Sequence, residues 1–137
     1  MNYDIEKIRD VFKTDKFLTG AGIKIDEVRE DYTLCTMKID KKKHFNELGG
    51  VQGGAIATLG DAAAAVMSNK NKIMETGDTN VVSRTITITY LKPVKGNVLI
   101  GKARIISEGR KTCLCEVEIT DDLGTKVAHF IQDGFRL

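Results

Sequence analysis

Asp61 is the only acidic residue between Glu47 and Glu75, and small residues surround it: Ala55-Ile56-Ala57-Thr58-Leu59-Gly60 before, Ala62-Ala63-Ala64-Ala65 after. On a helix, Gly54, Ala57, Asp61, Ala64 and Ser68 are 3, 4, 3 and 4 positions apart and share one stripe. A small-residue stripe around one acid points to close approach of another surface, with the carboxylate inside the contact. Such a carboxylate is a candidate nucleophile or general base. The plainer alternative is an aspartate on the solvent face of a helix. Just upstream, His44-Phe45-Asn46-Glu47-Leu48-Gly49-Gly50-Val51-Gln52-Gly53-Gly54 is polar, dense in glycine, and opens the same helix. Glycine there lets a ligand approach the backbone, and the unpaired N–H groups of the first turn point at it. They sit at the positive end of the helix dipole, which suits an oxyanion. The same glycines also serve a loop that merely turns tightly into a helix.

The elements that must position these groups follow from periodicity. Ile5, Ile8, Val11 and Phe12 have helical spacing, so residues 4–13 read as a short amphipathic helix, with 15–22 a glycine-punctuated loop. Ile23, Ile25 and Val28 begin a strand, and Tyr32 to Ile39 is its partner, with Thr33, Cys35, Met37 and Ile39 alternating against Leu34, Thr36 and Lys38. A loop over 40–50 leads to a long helix at about 52–69, which Asn69-Lys70-Asn71-Lys72 is expected to end. Residues 80–91, 98–107, 112–120 and 126–135 read as four further strands. Glu108-Gly109-Arg110-Lys111 and Asp121-Asp122-Leu123-Gly124 join the last three as hairpins. One long helix, apolar around most of its circumference, must be covered by the sheet. The fold class is α+β: a curved antiparallel sheet wrapped around one central helix, with residues 1–137 as a single domain.

Composition narrows the function classes. A net charge of +2 is too small to argue for nucleic acid. No apolar run approaches the ~20 residues of a membrane span, and the N-terminus lacks the pattern of a signal peptide. Cys113 and Cys115 are two apart on a strand and face the same side, a geometry that disfavours a mutual disulfide. With Cys35 they read as reduced, small core residues of a cytoplasmic protein.

The glycine loop and helix resemble the hotdog-fold acyl-CoA thioesterases of the phenylacetic-acid-degradation (PaaI-like) type. That signature runs roughly His-x-Asn-x-x-Gly-x-x-His-Gly-Gly, followed by a small-residue helix carrying Asp; His44, Asn46, Gly49, Gly53, Gly54 and Asp61 fall in register. Residues 86–93, Ile-Thr-Ile-Thr-Tyr-Leu-Lys-Pro, resemble the family's third strand. The main departure is Gln52 in place of the second histidine. Glutamine can donate a hydrogen bond but cannot take up a proton near neutral pH.

The resemblance implies hydrolysis of an acyl-CoA, aryl or medium-chain, to free acid and coenzyme A without cofactor or metal. Asp61 would be nucleophile or general base, and the Gly53 N–H, with that of Gly54, would hold the tetrahedral oxyanion. Asn46 would orient water or the Asp61 carboxylate, its alternative being an Asx turn. Ser83 would hold water, its alternative being an ordinary strand serine. His44 shapes the loop or contacts substrate. Arg110-Lys111 and the Lys41-Lys42-Lys43 run are candidates for the coenzyme A phosphates, or simply solvated charge. Gly53 and Asp61 are eight residues apart, roughly 12 Å along one helix. One acyl carbonyl cannot touch both, so a shared site requires a homo-oligomer, a dimer or dimer of dimers, with antiparallel helices at its interface. Two rival functions remain. A non-catalytic acyl-CoA-binding hotdog domain is one, although the N-terminal helical stretch is too short for a helix-turn-helix. A hotdog dehydratase is the other, and no histidine accompanies Asp61 for it.

Overall fold

A computed structural model describes residues 2–137 of the chain. Helix α1 (Ile5–Phe12) starts where the Asp4 carboxylate accepts from the Glu6 and Lys7 N–H groups, and it buries Ile8. The expected 15–22 loop contains a second helix, α2 (Lys16–Ala21), capped by Asp15 and closed by Gly22 at φ 83°. An Asp N-cap and a left-handed glycine seven residues on suffice for a helix of one and a half turns. Strands β1 (Ile23–Val28) and β2 (Thr33–Lys38) follow, and a single turn, α3 (Lys41–His44), lies inside the expected 40–50 loop.

Helix α4 (Gly53–Thr76) is longer than its sequence indicates: it runs through Asn69-Lys70-Asn71-Lys72 to a left-handed Gly77. Asn69 and Lys70 look like a stop signal but are buried and satisfied. Asn69 accepts from the Asn80 and Val81 N–H groups at 2.9 and 3.0 Å, which ties the helix to the next strand. Lys70 Nζ donates to Tyr3 Oη at 2.6 Å and to the Glu30 carbonyl at 2.9 Å. Tertiary partners override local polarity here.

Strands β3 (Val81–Tyr90), β4 (Val98–Glu108), β5 (Thr112–Asp121) and β6 (Lys126–Arg136) complete one antiparallel sheet of order β1-β2-β4-β5-β6-β3. The sheet curves around α4, so the hotdog expectation holds. Leu59, Ala63, Val117, Phe130, Leu99 and Met37 belong to one buried core between helix and strands. Close approach depends on Gly60, where a Cβ would lie 2.6 Å from the Phe130 ring. Cys35, Cys113 and Cys115 are free and buried, Cys35 and Cys115 within this core. Desolvation, with the Asp26 charge adding to it, pushes the Cys35 thiol up to about 12, so it behaves as a small apolar side chain.

Strand β3 is an edge strand, and nearly all of it is exposed. It carries a bulge at Arg84, where its register against β6 shifts between Ser83 and Thr85. Ser83 and Tyr90 are an odd number of residues apart and would point to opposite faces of a regular strand. The bulge brings both to the helix side: Ser83 reaches Asp61, and Tyr90 reaches Gly53.

Candidate active site

Asp61 lies mid-way along α4 in a shallow depression lined by Gly54, Ala57, Thr58, Ser83, Arg84 and Ile86. Desolvation raises its pKa above the ordinary carboxylate range; a hydrogen bond from Ser83 opposes the rise, and the nearby charge of Asp15 adds to it. The Ser83 hydroxyl is 3.5 Å from Asp61 Oδ1, the outer limit of a hydrogen bond. A half-buried carboxylate of raised basicity, with one hydroxyl beside it, is equipped to take a proton from water. The small residues on its helical stripe keep the approach open.

The start of α4 forms a second half-site. Gln52 is the N-cap, is exposed, and makes no side-chain bond to the helix. Its carbonyl accepts from the Ala55 and Ile56 N–H groups at 3.0 and 3.3 Å, while among the described residues Gly53 and Gly54 N–H have no acceptor. Tyr90 Oη donates to the Gly53 carbonyl at 2.6 Å, and its ring leaves no room for a side chain at Gly53, where a Cβ would sit 2.9 Å away. Each bond polarises the peptide beyond it: the Gln52 carbonyl shares its peptide with Gly53 N–H, the Gly53 carbonyl with Gly54 N–H. Gly53, Tyr90, Asn46, Leu48 and Leu91 line one open groove.

Asn46 takes the structural alternative within one chain. Its Oδ1 accepts from the Leu48 and Gly50 N–H groups at 3.0 and 3.1 Å, shaping the loop whose Gly49 has φ 79°. Within one chain it does not reach Asp61, which lines a separate depression. His44 is likewise committed, and this corrects the reading of it as a substrate contact. It is buried, with Nδ1 accepting from the Asp40 N–H at 2.9 Å and Nε2 bonded to the Ala21 carbonyl at 2.8 Å. No ring nitrogen is left for a ligand, and the histidine ties the glycine loop to the end of α2. Arg110 and Lys111 are exposed on the β4–β5 hairpin, beside Arg136 and remote from the Gly53 groove. The sequence reading missed Tyr90 and Gln132. In sequence Tyr90 reads only as part of a strand, and Gln132, 2% exposed, donates Nε2–H to Ser83 Oγ at 2.7 Å. No motif spacing marks a glutamine on a distant strand.

The pattern of the thioesterase superfamily matches residues 48–128, from the glycine loop through Asp61 and Ser83 into β6. The chain belongs to the thioesterase superfamily. It is 29% identical over 126 residues to acyl-coenzyme A thioesterase 13 of Mus musculus, covering 85% of this chain and 84% of that one. Its fold is that of the PaaI protein from the phenylacetic acid degradation operon of E. coli. That match has a TM-score of 0.83 and 22% identity, over 96% of this chain and 91% of the other. A thioesterase of Haemophilus influenzae superposes with TM-score 0.86 and 20% identity, over 100% and 92% of the two chains. This superfamily member also has an apolar cavity of about 290 Å³ between α1, α2, β1 and α4, lined by Phe12, Leu18, Ile23, Ile25, Ala62 and Val66. Ala62 places its wall one residue from Asp61. Among the described residues, no helix is long and apolar enough to cross a membrane.

Proposed function

We propose that the protein is an acyl-CoA thioesterase whose site is completed by a second copy of the chain. The observation that carries this is the placement of Asp61. A carboxylate kept basic by burial faces outward beside a long edge strand, while its own helix start lies roughly 12 Å away. The β3 edge exposes Val82, Ile86 and Tyr90, and Leu48 and Leu91 flank it. A ten-residue exposed edge is a template for pairing with another strand. Antiparallel pairing of β3 with β3 would bring Asp61 of one copy toward Gly53 and Gly54 of the other.

In that site, ionised Asp61 takes a proton from water as the water oxygen attacks the thioester carbonyl carbon. The carbonyl electron pair moves to oxygen, where the Gly53 and Gly54 N–H groups receive it. Collapse of the intermediate breaks the C–S bond, and the coenzyme A sulfur leaves with the proton returned from Asp61. Gln52, exposed at the helix start, would hydrogen-bond the carbonyl rather than shuttle protons. The cavity beneath α1 and α2 suits an aryl or medium aliphatic acyl group. Free, buried cysteines accord with a cytoplasmic protein. The test is a screen over acyl-CoA esters, read by released thiol, with Asp61→Asn in parallel. At least one ester should be turned over, and the variant should lose ~100-fold or more. Tight binding of acyl-CoA without turnover would favour the binding-domain reading and end this one.

A further inference from the structure

Behind Ser83 lies a polar chain inside the protein. Gln132, on β6, is almost fully buried and reaches in two directions. Its Nε2–H donates to Ser83 Oγ at 2.7 Å, and its Oε1 accepts from the Ser68 hydroxyl at 3.1 Å. Ser68 stands on the Asp61 stripe of α4, and its single hydroxyl proton is shared between Gln132 and the Ala64 carbonyl, 2.7 Å away. Gly134, the next residue on that face of β6, leaves space: a Cβ there would come 2.7 Å from Val81 and 3.5 Å from Gln132 Oε1. A buried amide is retained only where its bonds are made.

We propose that Gln132 is a positioning residue which, by donating to Ser83 Oγ, commits the single Ser83 proton to Asp61 or to a water held against it. An ionised carboxylate only accepts, so the Ser83 proton faces Asp61 and the group that Gln132 presents to Ser83 must be its N–H. The order of donation runs Gln132 to Ser83 to Asp61, toward the charge, with Ser68 sharing its one proton between Gln132 Oε1 and the Ala64 carbonyl. Without Gln132 the hydroxyl loses the donor that fixes its rotation. The charged neighbours of Asp61 do not replace this donor. Asp15, at the start of α2, opposes ionisation. Arg84, on β3, is bound to Asp133 of β6 at 3.0 Å and lies over the Phe135 ring.

The role of Ser83 and the measure of rate rest on the proposed thioesterase reading, so the experiment carries a readout that does not. Gln132→Met, Ser83→Ala and the double variant are compared by pH profiles of kcat/KM and by an NMR titration of the Asp61 carboxyl. Gln132→Met is expected to lower kcat about tenfold with KM little changed, and to move the acid limb and the Asp61 titration to higher pH. In the Ser83→Ala background it should cost nothing further, because it acts through the hydroxyl already removed. Should Gln132→Met fail to fold, Ser68→Ala replaces it and is expected to shift the titration in the same direction by less. Additive losses, or an Asp61 titration that stays in place, overturn the proposal. If the wild-type chain hydrolyses no thioester, the proposed function fails, and the NMR titration alone decides this inference.

Discussion

At the residue scale, Asp61 sets function against stability. Burial raises its proton affinity in the folded chain, Asp15 adds to this, and the Ser83 bond only partly offsets it. A carboxyl whose folded pKa lies above its unfolded value favours the folded state when protonated. That contribution is complete below about pH 4 and is lost as pH rises through the folded value. Above that value the wild-type chain carries an ionised carboxylate that folding disfavours. Asp61→Asn is uncharged throughout and should be more stable than wild type at pH 7, with the difference vanishing near pH 3 in paired urea melts. A variant less stable at both values would mean that the side chain is a structural element. The other residues at the site divide by how their polar atoms are used. Asn46 Oδ1 and both His44 ring nitrogens are spent on the loop, whereas Gly53, Gly54 and Gln52 keep donors facing outward.

At the scale of elements, the position of α4 beneath the sheet depends on Gly60. Its missing side chain accommodates the Phe130 ring, and a Cβ would meet ring atoms at 2.6 and 2.7 Å. Gly60→Ala raises helix propensity by up to about 1 kcal/mol, but the clash should outweigh it, giving net destabilisation of about 1–3 kcal/mol in urea melts. A more stable variant would show that helix and ring part easily. The stripe that carries Asp61 was legible because a helix repeats its faces through sequence alone. So were the six strands, whose alternation and turn residues are local signals. The end of α4 was not, because Asn69 and Lys70 are satisfied by Val81, Tyr3 and Glu30, which only the fold brings near. The bulge at Arg84 was hidden for the same reason: it exists as a register shift against β6. Without it, Ser83 and Tyr90 could not both serve α4.

At the scale of the whole molecule, the issue is whether one chain holds a complete site. Gly53 and Asp61 lie on one rigid helix, so no motion within the chain brings them to one carbonyl. Mixed oligomers test the alternative. One chain carries Asp61→Asn, the other a block at the helix start. Gly53→Pro would strike the Tyr90 ring, since even a Cβ there lies within 2.9 Å of it. Gly54→Pro is the better choice: the nearest atom to a Cβ at Gly54 is Gln52 Cγ at 3.9 Å, and proline removes the N–H within a first turn that tolerates it. Each variant alone should be nearly inactive, one lacking the base and the other an oxyanion donor. In the mixed dimer, one site joins the intact Gly54 of the first chain to the intact Asp61 of the second, and the other site carries both defects. Mixing is expected to restore activity toward half the wild-type value in each mixed dimer, read as thiol release after co-refolding. Mixed dimers that form, as shown by differently tagged chains purifying together, yet stay inactive would place the whole site within one chain.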